Sequence, residues 1–195
     1  LRRQRQMCIR DRINVLRTSG EDEVIIGTHL GYSVRFKGAV VRDMGRAAAG
    51  VKGVNLREGD YVVGTSRIDD SQEVLVISEN GLGKRTQASE YPTKGRGGKG
   101  MKVMNVTERT GKLAGLTAVN GDEDLMVITD TGVIIRTNVA NISQTGRAAQ
   151  GVKVMRLDDE AQIVTFALVD PVIEDEEVDA PELTDETIST DNNEE

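Results

Sequence analysis

The sequence predicts an all-β chain of propeller-type blades, and three observations carry that prediction. Three related glycine-arginine boxes stand at residues 45–52 (GRAAAGVK, box 1), 94–102 (KGRGGKGMK, box 2) and 146–153 (GRAAQGVK, box 3). Arg46, Arg96 and Arg147 are 50 and 51 residues apart, and the same offsets link Gly31, Gly81 and Gly132, then Arg35, Arg85 and Arg136, then Gly50, Gly100 and Gly151. Short branched-apolar runs bounded by turn residues fill the intervals, without an extended helical period. A repeat of this length made of strands reads as blades, each burying its faces against its neighbours.

Taken in order, residues 1–12 (LRRQRQMCIRDR) match nothing in the repeats. They resemble translated adapter sequence, the other reading being a basic nucleic-acid arm, and are set aside as a non-native or disordered leader. Residues 13–22 read as the end of a preceding blade. The first full blade, 23–72, has strands expected at 23–28, 33–37, 51–56 and 61–68, with a turn at 30–32 and room for a short helical turn within 36–44. The second blade, 73–123, repeats this with strands at 73–78, 83–87, 101–106 and 113–119. A third, 124–170, places them at 124–129, 133–137, 152–157 and 162–169. Four antiparallel strands per unit make a blade. Beyond residue 170, 11 acidic and no basic side chains among 171–195 give too few apolar anchors to offset ordering entropy, and a disordered acidic tail is expected.

Composition narrows the function classes. Aromatic residues are 3% of the chain and glycines number 21, which favours sheets packed through small residues. A lone cysteine, Cys8, rules out an internal disulfide framework and fits a reducing cytoplasm, and a single histidine, His29, leaves little material for a metal site. Neither a membrane-spanning run nor a secretory signal is present in the sequence. The net charge of -7 conceals segregation, because residues 13–170 hold 20 basic and 20 acidic side chains.

Residues 95–100 satisfy GxGxxG, but Pro92 precedes them and a strand, not a helix, is expected after them. The phosphate-loop pattern fails because Val or Met follows the later glycine. Carboxylates gather in inter-strand turns, and His29 has no Ser or Cys partner nearby, so no catalytic residue is assigned. The boxes suit phosphate oxygens better. Glycines permit close backbone approach, while Lys94, Arg96, Lys99 and Lys102 supply charges and forks, with Arg46, Lys52, Arg147 and Lys153 repeating them on adjoining blades. Such a track fits duplex DNA held by its backbone with no sequence read. The alternative is that the glycines serve turns and the cations are merely solvated.

The repeats resemble the C-terminal domain of bacterial DNA gyrase A, a β-pinwheel whose characteristic box reads QRRGGKG. The likeness runs from about residue 13 to 170 and includes GYSVRFK, GLGKRT and GVIIRT after each first hairpin. In that family the box belongs to the first of six blades, whereas KGRGGKG stands here in what resembles the fifth, with Lys94-Gly95 in place of Gln-Arg. The chain therefore reads as a partial array, the last three blades, without the breakage-reunion domain. Tyr32, Tyr61 and Tyr91 inherit no role from that domain's active-site tyrosine.

What the resemblance implies is a DNA-binding and DNA-wrapping domain of a cytoplasmic type II DNA topoisomerase, bending duplex DNA around its rim in support of ATP-dependent negative supercoiling. It implies gyrase B as partner, and no cofactor in this chain, ATP and Mg2+ belonging to that partner and to domains outside this chain. Contact candidates are Arg46, Lys52, Lys94, Arg96, Lys99, Lys102, Arg147 and Lys153, then Arg35, Arg85 and Arg136. Two rivals are the corresponding C-terminal domain of topoisomerase IV and a protein-interaction propeller whose boxes are structural turns.

Overall fold

The computed structural model describes residues 14–158 and 161–171, so the leader at 1–12 and the acidic residues from 172 onward lie outside it. Eleven strands form three antiparallel sheets. β1 (Glu23–Thr28), β2 (Tyr32–Lys37) and β3 (Val62–Ile68) make the first. β4 (Glu73–Ser78), β5 (Leu82–Gln87) and β7 (Leu113–Val119) make the second, and β8 (Asp124–Thr129), β9 (Ile134–Asn138) and β11 (Ile163–Val169) the third. Gly31, Gly81 and Gly132, with φ of +81°, +79° and +83°, turn the three leading hairpins, a conformation L side chains rarely adopt.

Strand membership differs from expectation in one respect. β6 (Met101–Lys102) pairs with β2, and β10 (Val152–Lys153) pairs with β5, so the fourth strand of a sheet comes from the following repeat. Residues 51–56 form no strand and contribute only a bridge between Val54 and Gly98. Two sheets thus have four strands and the third has three among the described residues. In the second unit the expected third strand shortens to Met101–Lys102, and Val103 and Met104 beyond it are buried in the cluster between the first two blades. A 3-10 turn at Gly38–Val40, Ala88–Glu90 and Val139–Asn141 leads into each box, inside the stretch anticipated for a short helix in the first unit.

The core lies between consecutive blades. β4 is buried along its whole length, and its alternation sends Val74 and Val76 into the cluster shared with the first blade, Leu75 and Ile77 into the cluster shared with the third. Each such side chain stabilises the stack by about 1.5–3 kcal/mol of apolar burial. The outer blades have one packed face, and β11 accordingly exposes Val164. His29 pins the first junction: its ring Nδ1–H donates to Leu113 O (3.0 Å) and the ring stacks on Tyr61 with centroids 4.2 Å apart. Among the described residues no helix is long and apolar enough to cross a membrane.

Candidate nucleic-acid interface

Boxes 2 and 3 each lie across the second strand of the preceding blade. Box 2 enters as Lys94 N–H donates to Arg35 O (2.8 Å) and leaves with Lys102 opposite Tyr32. Box 3 enters as Thr145 N–H donates to Arg85 O (2.8 Å) and leaves with Lys153 opposite Leu82. The glycine that recurs before the closing Val or Met has a structural cause. A Cβ at Gly100 would stand 2.7 Å from Ser33 O, one at Gly151 2.6 Å from Gly83 O, and both residues hold positive φ.

Neighbouring boxes are locked together. Gly97 N–H donates to Gly53 O (2.6 Å) and Asn55 N–H to Gly98 O (2.8 Å). Arg96 Nη1 donates to Lys52 O (3.3 Å), and Arg147 Nη1 donates to Lys102 O (2.9 Å), so the closing lysine of one box sits beside the arginine of the next. The guanidiniums thereby meet carbonyls and keep their charge unneutralised. Arg46, Lys52, Lys94, Arg96, Lys99, Lys102 and Lys153 are exposed, Arg147 is half-buried, and none of the ion pairs among the described residues involves any of them. Arg57, absent from the sequence-derived set, steadies box 2 from the side. Its Nη1 donates to Lys99 O (2.7 Å) while its guanidinium lies 3.3 Å over the Tyr32 ring.

Arg35, Arg85 and Arg136 are a different population, each held by a carboxylate of its own sheet. Arg35 is 4% exposed, bonded to Glu23 (2.6 Å), Asp70 (2.8 Å), Ala88 O (2.7 Å) and Tyr91 O (3.2 Å). Arg85 repeats the arrangement with Glu73 (2.7 Å), Ile142 O (2.7 Å) and Ala140 O (3.3 Å). Arg136, the most open of the three, pairs with Asp124 and donates to Asp170 O (both 2.8 Å). Arg35 and Arg85 tie β2 and β5 to the next repeat, and the charge of all three guanidiniums meets a carboxylate in place.

Lys84 was also missed. Fully buried, its Nζ donates to the carbonyls of Gly146 (2.8 Å) and Arg147, clasping the start of box 3. Its counterparts at the repeat offsets are Val34 and Ile135, and a lysine replacing two apolar siblings was the available signal. Burial pushes its ammonium down to about 8, opposed by Glu90 and reinforced by Arg147. Because the unfolded chain holds that proton up to about 10.5, the folded state binds fewer protons between these values and stability rises with pH through the window. Burial raises the Tyr91 hydroxyl, so above about 10 the trend reverses, the unfolded phenol ionising first. Denaturant midpoints measured from pH 7 to 11 should therefore peak near pH 10, and Lys84→Met should remove the rise but not the fall.

Other sequence features resolve into structure. The GxGxxG run leads into β6, with no helix to receive a dinucleotide phosphate. Turn carboxylates cap backbone donors. Asp22 accepts from Ser19 N–H (2.7 Å), which holds its carboxyl below the ordinary range, and Ser71 does the same for Asp69.

Known proteins share this architecture. The family described as "DNA gyrase C-terminal domain, beta-propeller" matches residues 22–69, 72–120 and 123–170. DNA gyrase A of Staphylococcus aureus (strain NCTC 8325 / PS 47) is 47% identical over 184 residues, covering 93% of this chain and 21% of that protein. The strain MRSA252 protein is 48% identical over 169 residues, covering 86% of this chain and 19% of that protein. The chain thus spans about a fifth of these relatives. A solved DNA gyrase A C-terminal domain superposes with a TM-score of 0.70 at 28% identity, over 76% of this chain and 50% of that one. The C-terminal domain of DNA topoisomerase IV shares the fold, with a TM-score of 0.77 at 24% identity over 83% of this chain and 52% of that one. Three consecutive repeats matched in phase with the three sheets place this chain in the DNA gyrase C-terminal domain family.

Proposed function

We propose that the box array holds duplex DNA by its phosphates and bends it, as the wrapping domain of a gyrase A protein that supports ATP-dependent negative supercoiling together with gyrase B in the cytoplasm. The observation that carries the reading is the division among cations. Strand arginines are neutralised by carboxylates, whereas box cations are exposed or, at Arg147, half-buried, free of ion pairs among the described residues, and joined end to end by Arg96 and Arg147. A run of charges left unmatched on a rigid rim favours a polyanion. Backbone contacts carry no sequence code, and bending a site of 20–30 base pairs by 40–90° costs about 1–6 kcal/mol, which several phosphate contacts offset. The contact set is Arg46, Lys52, Lys94, Arg96, Lys99, Lys102, Arg147 and Lys153. Catalysis belongs to domains outside this chain in this reading, and the chain itself is not an enzyme.

Fluorescence anisotropy with labelled duplexes at several salt concentrations tests it. Replacing Lys94, Arg96, Lys99 and Lys102 with alanine should weaken every duplex about equally and flatten the slope of log affinity on log salt by about 0.9 per lost contact. Asp69 and Asp70 replaced by asparagine should not weaken binding. Equal affinity and slope in a quadruple variant that circular dichroism shows to be folded would return box 2 to a structural turn and favour a protein-interaction surface.

A further inference from the structure

Two consecutive peptide groups at the start of box 3 turn their carbonyls on one buried ammonium. Lys84, fully buried on β5, donates from Nζ to Gly146 O (2.8 Å) and to Arg147 O. A planar trans peptide holds its N–H opposite its C=O, so Arg147 N–H and Ala148 N–H both face away from Lys84. The first is taken, because Arg147 N–H donates to Glu90 Oε2 (2.8 Å), and that bond shows that this side of the turn receives an anionic oxygen. The second has no partner among the described residues, and Ala148 is exposed.

Box 2 crosses its strand without this arrangement. At the repeat offset Val34 stands in the place of Lys84 and Val40 in that of Glu90. The N–H that corresponds to Ala148 belongs to Gly97, which donates to Gly53 O (2.6 Å) at a φ of +77°, a conformation open to glycine and strained for alanine. The same peptide is thus spent on the neighbouring box in one case and turned outward in the other. Thr86 adds to the hold on box 3 by donating its hydroxyl to Thr145 O (2.9 Å), where the first blade has Phe36. Withdrawing an ammonium from water onto two neutral carbonyls costs free energy that an apolar side chain avoids, and Val34 shows that a box can lie on its strand without that cost.

We infer that Lys84 is a positioning residue that sets box 3 as a seat for one phosphate of duplex DNA, with Ala148 N–H donating to a phosphate oxygen beside the Arg147 guanidinium. The inference rests on the DNA-binding reading above and adds to it a backbone donor and a side chain that never touches the ligand. Arg147 is held for the same task, since its Nη1 is fixed on Lys102 O (2.9 Å) and its other guanidinium nitrogens have no partner among the described residues. A neutral N–H contributes direction rather than charge. Box 3, with two cations against the four of box 2, therefore fixes where the DNA backbone lies, while box 2 supplies most of the attraction.

Nuclear magnetic resonance of the full chain, isotopically labelled at nitrogen and titrated with a short duplex, tests this. The Ala148 amide proton should move downfield as a charge-assisted hydrogen bond forms, and in Lys84→Met the duplex should leave it where it stands in the free protein. Anisotropy of that variant should show affinity lower by about three- to tenfold, the range for one hydrogen-bonded contact. Its slope of log affinity on log salt should match the parent's, because Lys84 itself meets no phosphate, whereas Arg147→Ala should flatten the slope by about 0.9. An Ala148 amide that the duplex does not move in the parent overturns the inference, whether or not the variant folds. A slope flattened by Lys84→Met overturns it too, since the ammonium is then a direct contact, and so does undiminished affinity in a folded variant. A parent that binds no duplex fails the DNA-binding reading itself, whereas binding that the box 2 quadruple variant weakens, with the Ala148 amide unmoved, removes this inference alone.

Discussion

Arg35→Leu is expected to lower the unfolding free energy by about 3–5 kcal/mol, the range for removing one partner from a buried ionic cluster. The reason lies in what remains. Glu23, 17% exposed at its side chain, loses the guanidinium 2.6 Å away, and the carbonyls of Ala88 and Tyr91 lose a donor at the junction of two blades. Leucine supplies volume without hydrogen bonds, so Glu23 keeps the Thr93 hydroxyl but loses its cation, and the Ala88 carbonyl keeps Tyr91 N–H but loses its charged donor. Arg136→Leu should cost no more than about 1 kcal/mol, because its side chain is 40% exposed and water can replace it. Urea unfolding of the two variants gives the comparison directly through the midpoint at unchanged slope. An Arg35→Leu protein within 1 kcal/mol of the parent would show that the four bonds contribute little, and the blade junction would then rest on apolar packing alone.

The leading hairpins could be read from sequence because their determinants are local. A branched-apolar run from 23 to 28 and an alternating one from 33 to 37, divided by a glycine that needs positive φ, specify a turn and a register without reference to anything distant. The destination of the box strand is not local. Val152-Lys153 has the same residue pattern whether it joins its own sheet or the preceding one, and only the close approach of Gly151 to Gly83 O decides the matter. Recurrence at a fixed phase does not by itself separate Arg35, Arg85 and Arg136 from the box cations, since an ion pair repeats as faithfully as a ligand contact. The discriminating signal was Glu23, Glu73 and Asp124, an acid 12 residues before each arginine, which antiparallel pairing brings alongside it. Box arginines have no such companion, and they are the ones left exposed or half-buried.

Gly64→Ala should destabilise the chain by about 2–3 kcal/mol, as overpacking does, and lower Tm by roughly 4–12 °C for a protein of this size. Gly64 lies opposite Gly27 in the first sheet, and together they form a floor on which Leu116 of β7 rests. An added Cβ would stand 2.3 Å from Leu116 O, and backbone cannot swing aside as a side chain can. Gly115 is its counterpart one repeat on, yet a Cβ there meets the ring of half-buried Phe166 at 2.6 Å, which a rotamer change relieves. Both glycines sit inside strands, where alanine ordinarily stabilises by about 0.4–1 kcal/mol through the unfolded state. The pair thus separates steric cost from chain entropy. Gly115→Ala should fall within about 1 kcal/mol of the parent and Gly64→Ala well below it, measured by thermal and urea unfolding in parallel. Equal losses at the two sites would mean that the first and second blades can part at Leu116 without penalty, and that their spacing is set elsewhere along β3 and β7.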